Sequence, residues 1–250
     1  MNKPPSRAGW RELRQWSCYH AEFGWFLESS LSQHSLSGSV LDIGCGAMPY
    51  RKLFGERVRY EGIDDDHLAG APEPVTIGDM QQLPFAGSRF SVVLSSFALH
   101  QAPSPGRALA EMARVLTSGG KLFLAVPSRA YLLYRMPRWL LPKNFVQRRG
   151  ISRAELMDLL ERNGFLLGRI WGYGGLLAQF FERMLGLCRV LRFRLKGSRT
   201  CTKATATIKA PGGNRWVIRL RAVVCGLELL LRLRLLGSGF WAVEATRKAG

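Results

Sequence analysis

Across Val40-Leu41-Asp42-Ile43-Gly44-Cys45-Gly46 an apolar strand ends in an acid and then in two glycines one residue apart, and no other stretch narrows the fold of this chain as far. Without a Cβ, Gly44 and Gly46 can take positive φ angles and let a ligand approach the main chain closely. The Asp42 carboxylate stands at the end of the strand, where open α/β sheets bind their ligands. The segment reads as a pocket floor with a fixed negative charge. Three readings fit the turn by itself. A dinucleotide site needs a third glycine three residues past the second, and Pro49 holds that position. A phosphate-cradling loop needs Gly-Lys-Ser/Thr after a longer loop, which this sequence does not supply. A strand-to-helix turn that merely happens to be glycine-rich remains the third.

The residues that follow decide among them. A second strand, from about Val58 to Ile63, runs into Asp64-Asp65-Asp66. An acid about twenty residues past a glycine turn is placed to accept hydrogen bonds from ribose hydroxyls. Next come Ile77-Gly78-Asp79-Met80, the segment Gln81 to Phe85, and an apolar strand from Phe90 to Leu94 that leads into Ser95 to Gln101. A helical pattern over Ala108 to Leu116 and the turn Thr117-Ser118-Gly119-Gly120 precede a further strand from Lys121 to Val126.

This ordered series resembles the class I S-adenosylmethionine-dependent methyltransferases, in the subgroup of quinone and small-molecule enzymes. The resemblance is carried by VLDIGCG at 40–46, YEGIDDD at 60–66, GDMQQLPF at 78–85, FSVVLSSFALH at 90–100 and ALAEMARVLTSGGKLFLAVP at 108–127. It weakens beyond 127, where ISRAELMDLLERNGF at 151–165 looks like the helix before the family's sixth strand and GFWAVEATRK at 239–248 like its last strand. The resemblance implies an α/β, Rossmann-like, seven-stranded, mostly parallel sheet with helices on both faces, and S-adenosylmethionine as cofactor. By position, Asp42, Gly44, Cys45 and Gly46 would lie against the methionine part of the cofactor. Asp64, with Asp65 beside it, would hold the ribose hydroxyls, Asp79 and Met80 would border the adenine, and Ser95 and Ser96 would sit beside the sulfonium. Two positions depart from the family pattern: Met48, where many relatives place a third glycine, and Ser91, where an acid often opens the fourth strand.

A sulfonium is already activated for displacement, so such a protein mainly aligns a nucleophile with the methyl group and excludes water. A base helps only where the acceptor must lose a proton. By type and position His100 is the first candidate, since histidine exchanges protons near neutral pH; Tyr19, His20 and Tyr50 follow. No spacing of the five cysteines, at 18, 45, 188, 201 and 225, suggests a metal site, and any disulfide scheme leaves one unpaired. A cytoplasmic setting is the simpler expectation, and the first ten residues lack the apolar core of a signal peptide.

Charge divides the chain. Residues 1–128 balance 12 basic against 12 acidic side chains, whereas 129–250 carry 24 against 6, which is the whole net charge of +18. Such asymmetry points to an anionic partner: a membrane surface, an anionic substrate or a nucleic acid. Two apolar, arginine-rich stretches, 176–195 and 216–236, read as helices; arginines interrupt them too often for a membrane span, but suit a helix lying in the cytoplasmic membrane interface. Packing on the core with solvated arginines is the competing account. The breaker-rich 197–215 between them reads as a mobile loop.

The sequence thus divides into an N-terminal helical cap at 1–36, a cofactor core at 37–171, a basic helical insertion at 172–238 and a last strand with tail at 239–250. The basic, aromatic stretch 129–150 is placed to wall an acceptor pocket. Methyl transfer to a small-molecule or lipid-linked acceptor, at the oxygen of a glycan, quinone or polyketide-like molecule, is the expected activity. The alternatives are an RNA methyltransferase using the basic half and a methyltransferase-fold module without catalysis.

Overall fold

The computed structural model describes residues 12–33, 38–56, 58–65, 74–131, 150–195, 215–230 and 238–249. Seven strands form one sheet in the order β3-β2-β1-β4-β5-β7-β6. They are β1 (Ser39–Ile43), β2 (Arg59–Asp64), β3 (Val75–Ile77), β4 (Phe90–Ser96), β5 (Leu116–Pro127), β6 (Phe165–Tyr173) and β7 (Phe240–Arg247). The strands from β3 across to β5 pair in parallel, with Val40 opposite both Tyr60 and Val92; β7 runs antiparallel to both β5 and β6. Parallel strands are covered on both faces and read as near-continuous apolar runs, which is why the central strands stood out in the sequence. The expected turn at 117–120 falls inside β5, where the pairing jumps from Phe90–Leu116 to Val92–Lys121 and Gly119 turns at φ 72°.

Side chains alternate across this sheet. Leu41, Ile43, Val93, Leu122, Leu124 and Val243 point to one face and pack under α2 (Pro105–Val115) and α3 (Arg153–Arg162) through Leu109, Met112, Leu156 and Leu160. Ser104 caps α2 ahead of a proline at its first position, and a Ser152–Glu155 capping box starts α3, so both helices begin where their backbone N–H groups are satisfied. Val40, Leu94, Phe123 and Ala242 point to the other face, covered by α1 (Cys18–Leu31) through Ala21, Phe23, Phe26 and Leu27. Phe23 and Phe26 are fully buried, as expected of packing residues. Helices therefore lie on both faces.

Two further helices, α4 (Leu176–Leu195) and α5 (Arg215–Leu230), lie where the two apolar stretches predicted helices. They meet α1 through a cluster of Cys18, Ala178 and Val224. Arg221 secures that junction. It is 1% exposed, contacts Glu182 through Nε (2.8 Å) and Nη2 (3.0 Å), and donates from Nη1 to the carbonyls of Arg14 (2.7 Å) and Gln15 (2.9 Å). Glu182 in turn accepts from the Cys18 backbone N–H at 2.7 Å. No helix of the described residues is long and apolar enough to cross a membrane. The expected loop at 197–215, except Arg215, and residues 132–149 of the expected pocket wall lie outside the described residues, as do 231–236 of the second apolar stretch and Asp66 of the acidic run.

Candidate functional site

A cavity of about 500 Å³ opens at the carboxyl ends of β1, β2 and β3 and along the turn after β4. Gly44, Asp64, Asp65, Asp79 and Met80 line it, together with Phe97, Ala98 and Gln101. The glycine turn forms its floor: Gly44 and Gly46 take φ values of 68° and 50°, and the Gly44 N–H donates to the Ile63 carbonyl at 2.8 Å. A Cβ on Gly44 would lie 2.3 Å from that of Ala98, so the close approach of this turn to the loop after β4 requires glycine. Met48, at the position where the resemblance places a third glycine, itself takes a left-handed φ of 50°. Met48 thus adopts a conformation that glycine takes more easily.

Asp64 is more than a wall residue. Its Oδ2 accepts the Gly46 N–H at 2.8 Å and its Oδ1 the Asp65 N–H at 2.9 Å, so the second strand's acid pins the glycine turn of the first. Burial is the main cause that raises its pKa above the usual carboxylate value. Asp79 folds back on its own turn, accepting the Gln81 N–H at 2.8 Å. The following segment is held from behind by α2: Glu111 accepts the Leu83 N–H at 2.8 Å, and Arg114 donates to the carbonyls of Leu83 and Phe85.

Asp42 lies behind the lining, 1% exposed. Tyr60 Oη donates to its Oδ2 at 2.6 Å, while Oδ1 is buried without a hydrogen-bond partner. Burial pushes this carboxyl up to about 7, against the Tyr60 hydrogen bond that lowers it and with Asp64, which raises it. The floor's negative charge is therefore not fixed near neutral pH, contrary to the expectation from sequence: a carboxylate removed from water gives up charge unless something cationic replaces the water. An orphaned acceptor beside a bare glycine turn fits a ligand that brings positive charge or N–H donors. Cys45 is buried beneath the turn, where loss of water pushes its thiol up.

Ser95 is fully buried on β4 with an unpartnered Oγ, and the cavity wall is instead taken over one turn later, by Phe97 and Ala98. Ser96 points to the opposite sheet face and donates to Tyr50 Oη at 3.2 Å. His100 sits half-buried in the 3-10 turn Leu99–Gln101; its neighbour Gln101 lines the cavity and His100 does not.

Phe97 was not singled out by its sequence. It is one of three described non-glycine residues with a left-handed backbone, at φ 58°, a strained geometry that clusters at functional sites. One side of this residue borders the cavity. Its ring also lies 5.1 Å from the His20 ring and 5.3 Å from that of Phe240. Around these gather Tyr50, stacked on His20 at 6.0 Å, and Tyr131, 4.7 Å from Phe240 and 6.1 Å from Tyr19. Residues from α1, the β4 turn, the end of β5 and the start of β7 thus converge at one sheet edge. His20 Nδ1 is 2.7 Å from Ser17 Oγ; burial, and then the Arg221 charge, lower His20 to about 4. Burial pushes the Tyr19 and Tyr50 hydroxyls up. All three are neutral at physiological pH. Among the described residues no cluster of His, Cys, Asp or Glu could hold a metal ion.

Residues 41–124 match the methyltransferase domain family. A phosphatidylethanolamine N-methyltransferase from Cereibacter sphaeroides is 31% identical over 132 residues, covering 46% of this chain and 65% of that protein. A ubiquinone/menaquinone biosynthesis C-methyltransferase from Laribacter hongkongensis is 41% identical over 58 residues, 23% of this chain and 24% of that one. The chain therefore spans less than two thirds of either relative. Among solved structures, an S-adenosylmethionine-dependent methyltransferase from Mesorhizobium loti superposes with a TM-score of 0.58 at 16% identity, over 90% of this chain and 98% of the other, which speaks to the fold.

Proposed function

We propose that this chain, which belongs to the class I S-adenosylmethionine-dependent methyltransferase family, transfers a methyl group to the hydroxyl oxygen of an apolar, aromatic or lipid-linked small molecule. S-adenosylmethionine is its cofactor and supplies a methyl group already activated by the sulfonium. The observation that carries the acceptor assignment is Phe97, which borders the cofactor cavity and also belongs to the aromatic cluster of His20, Tyr50, Tyr131 and Phe240. Such a cluster binds flat or apolar groups. The names of the relatives, a phospholipid N-methyltransferase and a quinone C-methyltransferase, support an apolar or lipid-linked acceptor, while the choice of oxygen rests on the hydroxyls around His20.

The chemistry asked of the chain is modest. Gly44, Asp64, Asp79 and Met80, which line the cavity, would hold the donor; the orphaned Asp42 Oδ1 stands behind the floor, ready for a positively charged or N–H-bearing group. The aromatic rings exclude water and fix the acceptor's angle of approach. His20, kept neutral and steadied by Ser17, accepts a hydrogen bond from the incoming hydroxyl and so directs an oxygen lone pair. As the O–CH3 bond forms and the S–CH3 bond of the donor breaks, the hydroxyl proton would pass through His20 to solvent; with so low a proton affinity the imidazole relays that proton and does not keep it. The neutral tyrosine and serine hydroxyls around it suit a hydroxyl-bearing acceptor. This gives His20 the role that type and sequence position had suggested for His100.

The test supplies methyl-labelled S-adenosylmethionine to the intact chain together with an organic-solvent extract of the producing cells or, in a parallel reaction, their total RNA. Label should enter an apolar product that withstands base, as an ester would not, and gives labelled iodomethane with hydriodic acid, as a methyl ether does, and His20→Ala should slow its formation about tenfold or more. Label found only in RNA would replace this reading with nucleic-acid methylation. Cofactor binding without any transfer would replace it with a binding module.

A further inference from the structure

Helices α4 and α5 leave apolar side chains in the open in a regular pattern. On α4, Leu176, Phe180 and Met184 are 40%, 60% and 43% exposed, spaced four residues apart. On α5, Trp216, Leu220, Val223 and Leu227 are 68%, 49%, 56% and 40% exposed, at spacings of four, three and four. These spacings place each set on one helix face. The inner faces are spoken for by Ala178, Arg221 and Val224, packed against Cys18 of α1 or bound to Glu182. Beside the α5 stripe run Arg215 and Arg219, both exposed, with the Arg219 guanidinium 5.6 Å above the Trp216 ring. Single exposed apolar residues are ordinary, but contiguous stripes mark an interaction surface.

From this surface we infer that α4 and α5 dock the protein on the headgroup region of an anionic lipid bilayer. Three observations select this occupant. The α5 stripe is flanked by Arg215 and Arg219, and the chain from 129 onward carries the entire net charge of +18, complementary to a negative leaflet. Tryptophan with an arginine over its face suits the boundary between acyl chains and headgroups, where an apolar body and a polar edge are both satisfied. No described helix can span a bilayer, so the contact lies along the surface. A lipid interface would take up the stripe while leaving the arginines among phosphates. The Arg221–Glu182 pair fixes these helices to α1, whose His20 belongs to the acceptor cluster, so a docked protein presents that cluster close to the membrane. The inference does not depend on what the acceptor is.

The experiment is flotation of the full chain with vesicles of phosphatidylcholine alone or mixed with phosphatidylglycerol. Binding should require phosphatidylglycerol, weaken with salt, and fall at least about tenfold in the double variant Phe180→Ser/Leu220→Ser. Leu166→Ser, an equally exposed site on β6, should bind as the parent does. A second readout avoids disturbing the helices: brominated lipids in the bilayer should quench the parent's fluorescence more than that of Trp216→Phe. Equal flotation of the stripe variant, equal binding to phosphatidylcholine alone, or equal quenching of Trp216→Phe overturns the inference. So does a parent dimer that the stripe variant converts to monomer without change in vesicle binding, or a stripe dependence seen for single-stranded RNA and not for vesicles.

Discussion

The hydroxyl of Tyr60 stands 2.6 Å from the carboxylate of Asp42, an acid buried next to the floor of the cavity, and among the described residues it is that acid's side-chain hydrogen-bond partner. Folding leaves Asp42 with a proton that the unfolded chain has already released near its ordinary value of about 4. Stability therefore falls as pH rises from there to about 7 and is level above it. Asp42→Asn keeps an acceptor for Tyr60 and removes the titration. At pH 8 the variant should be more stable than the parent by roughly 2–4 kcal/mol, and at pH 4 equal to it, in denaturant melts. Identical pH profiles for the two proteins would show that Asp42 keeps its charge.

His20 acts with the opposite sign. Its folded value of about 4 lies below the unfolded value of about 6.5, so stability is lost as pH falls through that interval. His20→Gln should flatten the acid limb of the melting profile between these values. An unchanged acid limb would place the imidazole in contact with water.

Arg221 is a cation whose neighbours are all inside the protein. Arg221→Leu strands Glu182 and should cost on the order of 3–5 kcal/mol in chemical denaturation. Arg221→Leu/Glu182→Leu, which removes both charges, should recover a substantial part of that loss. Additive losses in the double variant would mean the two side chains are not coupled.

Phe97 pays a backbone penalty for its position. Because its φ is 58°, Phe97→Gly should be about 1 kcal/mol more stable than Phe97→Ala. Both should lower kcat/KM for methyl transfer by an order of magnitude or more, since neither supplies the ring. An alanine variant as stable as the glycine variant would show the turn has relaxed.

Under the proposed function Asp64 serves the cofactor as well as the turn that its carboxylate already pins. Asp64→Asn retains a carbonyl for the Gly46 N–H and should weaken calorimetric binding of S-adenosylmethionine by about tenfold. Asp64→Ala loses both functions and should bind at least about tenfold more weakly again. Equal affinities for the two variants would reduce Asp64 to a binding residue alone.

The central strands and the cavity acids were legible because each depends on local pattern: unbroken apolar runs for strands covered on both faces, glycines where φ is positive, an acid at each strand end. Phe97 was not, since a difference of two residues in where the strand gives way to the turn decides whether Ser95 or Phe97 reaches the cavity. His20 was named only as a secondary candidate, because its place depends on how α1 docks across the sheet. Arg219 and Arg221 are alike in sequence two positions apart, yet one stands in solvent over Trp216 and the other is 1% exposed. A buried arginine among exposed ones blurs the polar face of its helix, which is why sequence could not choose between packing and a membrane interface.

The placement of β7 between β5 and β6 also governs how the molecule must assemble. Among the described residues β6 pairs with β7 alone, and β7 follows the other six described strands in sequence. The far edge of the sheet cannot form progressively as the polypeptide lengthens; it waits for a contact of long sequence separation, made only after α4 and α5 have been synthesised. Such closure is slow relative to local pairing, and until it occurs the apolar edges of β5 and β6 are open to other chains. Interruption of synthesis ahead of Phe240 would leave an aggregation-prone intermediate rather than a smaller working enzyme.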